Sequence, residues 1–143
     1  MMQLLFHMLL YGLFGWGVEI VFTAIKKSVK EKTWKLEGFT TLWAFPLYAS
    51  AAVFFEPLHD ALSAIHAHWV LRGAIYTLGI YGIELLYGLF MVVLLKMHPW
   101  KYSGRLTLRG YVHFAYAPAW FTFSLFLEHM HNILVRIDQV LYR

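Results

Sequence analysis

Tyr11-Gly12-Leu13-Phe14-Gly15-Trp16-Gly17-Val18-Glu19 returns later in the same chain as Tyr76-Thr77-Leu78-Gly79-Ile80-Tyr81-Gly82-Ile83-Glu84. Tyr11, Leu13, Gly17 and Glu19 each recur 65 positions on. Gly38, Pro46, Glu56 and His59 recur 72 positions on, as Gly110, Pro118, Glu128 and His131. Each unit reads as an apolar helix with a glutamate inside it, a basic loop with a Trp-Lys pair, and an apolar helix with a proline. The reading is a tandem two-helix repeat.

Composition names the solvent. Of 143 residues, 60% are hydrophobic and 14% charged, against about 25% charged in a soluble domain. Mean hydropathy is +0.57. A chain this small cannot hide that much apolar surface in one water-soluble core, so a lipid bilayer is the expected partner. No cysteine is present, which removes disulfides, thiolate metal sites and thiol nucleophiles.

A spanning helix takes about 20 apolar residues. Four segments qualify: 3–25, 39–58, 69–95 and 109–130. The first lacks a positive start and contains Glu19, so it reads as a retained helix rather than a signal peptide. The third would run about 40 Å at ~1.5 Å per residue, longer than a hydrocarbon core of about 30 Å. The expected fold is all-α: a four-helix transmembrane bundle in a single domain over 1–143. Repeat units fall near 3–60 and 69–131, and a short amphipathic interfacial helix over 132–143.

Basic residues set the topology. Lys26, Lys27, Lys30, Lys32 and Lys35 fall in the first loop, and Lys96, Lys101, Arg105 and Arg109 in the third. Only Arg72, Arg136 and Arg143 fall on the other side. The positive-inside rule places the first and third loops in the cytoplasm and both termini outside. Each repeat has an even number of helices, so the halves should be related by an axis along the membrane normal. The net charge of +4 belongs to this topology and not to a nucleic-acid partner. The first-loop lysines are also suited to anionic lipid headgroups, at about 1 kcal/mol each.

Glu19 and Glu84 are the sharpest candidates. A carboxylate inside a spanning helix costs about 2.5–3.5 kcal/mol and usually faces a polar interior. Pro46 and Pro118 occupy matched positions, and a mid-helix proline frees the carbonyl four residues back, here Leu42 and Phe114. The expected binding site is therefore Glu19, Glu84, Pro46, Pro118, Leu42 and Phe114, holding a proton, a cation or a lipid-like solute. The alternative is that the glutamates only lock helices together.

Glu56-x-x-His59 and Glu128-x-x-His131 carry part of the inventory of a di-iron bundle. Helical rise puts them too far from Glu19 for one metal pair. They map to the outer side with Asp60, His66, His68 and His129, where solvated histidines are the expectation. His59 and His131 are weak metal candidates, and no cofactor is expected. Glu56 and Glu128 are expected to form ion pairs, with Arg72 able to reach either. His7 and His113 lie at opposite ends of their helices and cannot clamp one haem. The sequence has no Gly-x-Ser-x-Gly, phosphate-binding glycine loop or His-Glu-x-x-His.

Gly15-Trp16-x-x-Glu19, Trp34-Lys35-x-x-Gly38-x-Thr40-x-x-Trp43, Glu84-x-x-x-Gly88, Pro99-Trp100-x-Tyr102-Ser103 and Pro118-x-Trp120 together resemble the transmembrane protein 229 family. They are also similar to the bacterial type IV ABC-transporter (CmpB-like) membrane proteins. The resemblance runs from about Tyr11 to Glu128. It implies a multi-pass membrane protein and supplies no defined activity. Lys101 stands where that family often has an acidic residue. An ATP-driven role would require a partner with a nucleotide-binding domain. The alternatives are an accessory subunit of a membrane complex and a membrane-embedded lipid-modifying enzyme. A homodimer is plausible, since four helices enclose little on their own.

Overall fold

A computed structural model describes residues 1–141. Five α-helices account for most of them: α1 (Met2–Glu31), α2 (Ala44–Ala49), α3 (Ala51–Ala64), α4 (Trp69–Leu95) and α5 (Ala117–Leu141). The only strands among the described residues are β1 (Thr107–Leu108) and β2 (Val112–His113). The fold is all-α. The chain divides into two compact units, Met1–Val53 and Phe54–Arg143, with the boundary inside α3.

In the first unit, α2 packs on α1. The face of α1 that receives it is cut back to glycine. A Cβ on Gly12 would overlap the Phe45 ring, and one on Gly15 would overlap Tyr48. The helix ends at Lys32, whose left-handed backbone (φ 50°) closes the last turn with an N–H bond to the Ser28 carbonyl.

The segment after α1 then runs back along it, and side chains of α1 satisfy its polar groups. Leu36 N–H donates to Ser28 Oγ (3.2 Å), and Lys27 Nζ bonds Glu37 (2.6 Å). Phe39 N–H meets Thr23 Oγ1 (2.9 Å), and Thr40 Oγ1 donates to Glu19 Oε2 (2.8 Å). Trp16 Nε1 donates to the Thr41 carbonyl (3.0 Å). This return strap explains why the second helix starts later than its hydropathy suggests. Residues 39–43 are apolar enough for a helix, but they run alongside α1, and helix begins only at Ala44.

The second unit repeats the device with different chemistry. α4 is capped at the start by His68 Nδ1, which accepts from Val70 N–H (3.4 Å), and ends on Lys96 with φ 55°. The returning segment is a short hairpin. Arg109 (φ 51°) and Gly110 (φ 78°) both take positive φ, the requirement of the mirror-image turns that join tight hairpins. Tyr111 N–H closes the turn on the Leu108 carbonyl (3.0 Å). The hairpin lies against α4, where Tyr111 fills the space that a Cβ on Gly88 would take. Tyr81 Oη donates to the Phe114 carbonyl (3.2 Å), and Trp100 Nε1 to the Tyr111 carbonyl (2.9 Å). The fourth helix therefore starts at Ala117 and not at Arg109.

Two expectations change at the C-terminal end and in α3. The segment from Asn132 is not a separate interfacial helix. It continues α5 without a break to Leu141, because Leu134 and Asp138 are buried on the same face as Leu127 and His131. Tyr142 and Arg143 lie outside the described residues. The proline that interrupts a helix interior is Pro57, in the middle of α3.

The repeated glycines divide by role. Gly38 has an ordinary backbone, but a Cβ there would overlap the Ile20 carbonyl oxygen. Its partner in the repeat, Gly110, is needed for φ. Gly17 and Gly82 face open space. Gly38→Ala is expected to detach the strap and cost about 1–3 kcal/mol, the usual range for overpacking. Gly17→Ala should be neutral or stabilising by up to ~1 kcal/mol through helix propensity. Thermal melts of the two variants in detergent check the contrast.

Candidate functional site

Glu19 belongs to the first unit and Glu84 to the second. Glu19 is half-buried on α1 and takes the Thr40 hydroxyl bond described above. Glu84 is only 5% exposed, in the middle of a 27-residue apolar helix. Its Oε1 lies 3.4 Å from Tyr102 Oη, a long bond from the returning segment. Its Oε2 is buried with no hydrogen-bond partner among the described residues.

The prolines do not act as expected. Pro46 is in the first turn of α2 and Pro118 in the first turn of α5. Proline suits that position because first-turn N–H groups have no intrahelical acceptor to lose. Their carbonyl partners are already bonded. The Leu42 carbonyl accepts from Phe45 N–H (3.1 Å). The Phe114 carbonyl accepts from Ala117 N–H and from Tyr81 Oη. Pro118 lines an open crevice of about 470 Å³ with Ala74, Thr77, Leu78, Tyr81 and Phe121. The Thr77 hydroxyl is turned to the Gly73 carbonyl (2.8 Å), so the wall is apolar. These residues start helices and do not supply polar ligands.

The other repeated motif is where polar groups converge. Both Glu-x-x-His copies lie in the second unit, the first on α3 and the second on α5. They pair crosswise. His59 Nδ1 is 3.7 Å from Glu128 Oε2, and His131 Nδ1 is 3.4 Å from Glu56 Oε1. The two imidazole rings meet edge-on at 4.8 Å between centroids. His131 Nε2 lies 3.2 Å from Asp60 Oδ1. His59 and His131 are both buried, contrary to the solvated interfacial histidines expected there.

Arg72 anchors the arrangement. Its Nε and Nη2 clasp the two oxygens of Glu128 at 3.0 and 2.5 Å, and Nη1 donates to the Ala67 carbonyl (2.7 Å). Tyr76 connects this pair to the histidine. Its hydroxyl is 3.0 Å from His59 Nδ1 and 3.4 Å from Glu128 Oε2. The sequence repeat pointed to Tyr76, matched to Tyr11, but spacing alone did not give it this role. The cluster is a separate layer from Glu84. Arg72 and Glu84 are twelve residues apart on α4, about 18 Å of helical rise.

The two histidines are pulled in opposite directions. His59 and His131 follow directly after the expected spans end at Leu58 and Met130. Burial and the neighbouring His131 lower the His59 pKa below its ordinary 6.5, with Glu128 and Asp60 opposing. Glu56, 3.4 Å from Nδ1, raises that of His131, with the Asp60 charge adding to it against burial. The cluster therefore favours a proton on His131 over one on His59. Stability from His131 is fully present below 6.5 and is lost as pH rises through its raised value. Stability from neutral His59 is present above 6.5 and is lost as pH falls through its lowered value. Melting temperature is expected to decline on both sides of neutrality. His131→Gln should flatten the alkaline decline, and a decline of unchanged size in that variant would contradict the proton assignment.

α1 and α4 are each long and apolar enough to cross a membrane, and only 22% of their most apolar windows is buried. A core helix of a soluble protein would be mostly buried. Here Leu78, Leu86, Phe90 and Val93 of α4 face outward. No solved structure matches the chain. The family model described as Putative ABC-transporter type IV matches residues 5–142, nearly the whole length. The chain is a membrane protein and belongs to that ABC-transporter type IV family.

Proposed function

We propose that this chain is a multi-pass, transport-type membrane protein that offers an intramembrane carboxylate to a proton or cation. Four passes are formed by α1, by α2 with α3 as far as Leu58, by α4, and by α5 as far as Met130. The first and third loops face the cytoplasm and both termini face outside. The residue that carries the site is Glu84.

The supporting observation is the state of that carboxylate. It is buried in the more apolar of the two long helices, with one oxygen on a long bond to Tyr102 and the other unbonded among the described residues. A side chain kept only for packing would be expected to have both oxygens satisfied, since an unmet buried acceptor costs about 1–3 kcal/mol. A titrating carboxylate needs a free position for the proton or ion it exchanges. Tyr102 reaches it from a segment that also holds Trp100 and the hairpin. The chain itself has no phosphate-binding glycine loop, so ATP-driven action would be the task of a partner subunit.

A second reading is supported by Glu19. Its carboxylate is engaged by Thr40 at 2.8 Å, the geometry of a group that fastens a strap. In an accessory subunit both glutamates would serve that end. Proteoliposome flux separates the two. Glu84→Gln is expected to abolish proton- or cation-dependent flux while leaving the melting temperature within a few degrees of wild type. Unchanged flux, or lost stability in place of lost flux, would overturn the transport reading of Glu84.

A further inference from the structure

We propose that His59, Asp60 and His131 form a binding site for one divalent transition-metal ion, best matched by Zn²⁺. One nitrogen of each ring and one Asp60 oxygen lie within 4.8 Å of one another. Two imidazoles and a carboxylate form a donor set that suits zinc, and three protein ligands leave a fourth position open. Bonds of about 2.0–2.1 Å at tetrahedral angles put ligand atoms about 3.3 Å apart. His131 Nε2 and Asp60 Oδ1 already stand at 3.2 Å. The Asp60 side chain is 70% exposed, so it can rotate to close the remaining gap and gives the ion a route from water.

The groups behind the rings carry the argument beyond a chance cluster. A ligating histidine normally gives its other ring N–H to a carboxylate, carbonyl or similar acceptor, which fixes the tautomer. Each histidine has an oxygen facing its other ring nitrogen. His131 Nδ1 faces Glu56 at 3.4 Å, which leaves Nε2 on the Asp60 side. His59 Nδ1 faces the Tyr76 hydroxyl, which in turn donates to Glu128, itself clasped by Arg72. That chain of donors keeps the hydrogen of neutral His59 on Nδ1 and the lone pair on Nε2, where the Ser63 hydroxyl lies at 3.4 Å.

The reciprocal pairing of the Glu-x-x-His copies gives the motif, not the site, a reason to recur in both halves of the chain. Each copy supplies one ligating imidazole. The Glu56 carboxylate supports the ring of the other copy directly, and Glu128 does so through Tyr76. Asp60 has no counterpart in the repeat, where position 132 is asparagine. The two halves therefore build one mononuclear site and not a symmetric pair of sites.

The test uses the full chain in detergent, stripped with a chelator and titrated with Zn²⁺ alone, with Co²⁺ absorption as the reporter of geometry. One ion per chain and the visible bands of four-coordinate Co²⁺ are expected. Asp60→Asn, at an exposed position, should stay folded and lose at least about tenfold in affinity, and His131→Gln should lose at least as much. Glu56→Gln should lose about tenfold through ring orientation alone. Failure of wild type to bind stoichiometric zinc, or equal affinity in wild type, Asp60→Asn and His131→Gln, would overturn the site and leave a cluster that holds only a proton.

Discussion

The second unit is organised around the bond between Arg72 and Glu128. It ties the start of α4 to the middle of α5 through two parallel hydrogen bonds, and ties both to the connection before α4 through the Ala67 carbonyl. Both side chains are largely removed from water, at 20% and 16% exposure. Desolvating a charge pair is expensive, and it is tolerated only when the remaining lone pairs and protons find partners. Here they do, and that requirement recruits the neighbours. Tyr76 turns its hydroxyl to Glu128, His59 sets its ring on Tyr76, and His131 meets His59 edge-on. α3 is thereby joined to α4 and α5 by polar bonds within an otherwise apolar packing.

A different constraint governs the ends of the long helices. A chain leaving a membrane helix must satisfy its own backbone before entering the next one. Both return segments do this against a face made of an aromatic residue, a glutamate three residues on, and a small or hydroxylated residue four beyond that. On α1 these are Trp16, Glu19 and Thr23, and on α4 they are Tyr81, Glu84 and Gly88. The bonds differ in strength where the chemistry differs. Thr40 reaches Glu19 at 2.8 Å, and Tyr102 reaches Glu84 at 3.4 Å. The looser second copy is the one with an oxygen left unbonded. This asymmetry is why the transport proposal rests on Glu84 and the strap function on Glu19.

Much of this was legible in the sequence. Hydropathy and length gave the helices, and Lys32 and Lys96 stop α1 and α4 close to where charge returns. The echo of Glu-x-x-His named the residues that converge. Three things were not legible. The start of each second helix was set too early, because residues 39–43 and 109–113 are apolar enough for helix but are claimed by bonds to α1 and α4. Pro46 and Pro118 read as mid-helix kinks for the same reason, since a proline's effect depends on where the helix begins. The histidines were expected to be solvated because they follow apolar spans in a loop-like context. Only the fold shows that α3 and α5 each continue past them and bury them against Tyr76, Arg72 and each other.

The account depends on the Arg72–Glu128 bond as a strongly coupled, largely desolvated pair, and a double-mutant cycle measures that coupling directly. Unfolding free energies in detergent for wild type, Arg72→Met, Glu128→Leu and the double variant give the interaction term. Breaking a buried pair on one side alone costs about 3–5 kcal/mol, while removing both partners costs far less. Each single variant is expected to be less stable than the double variant, with a coupling of about 2 kcal/mol or more. Additive single-variant effects would contradict the claim that this bond organises α3, α4 and α5.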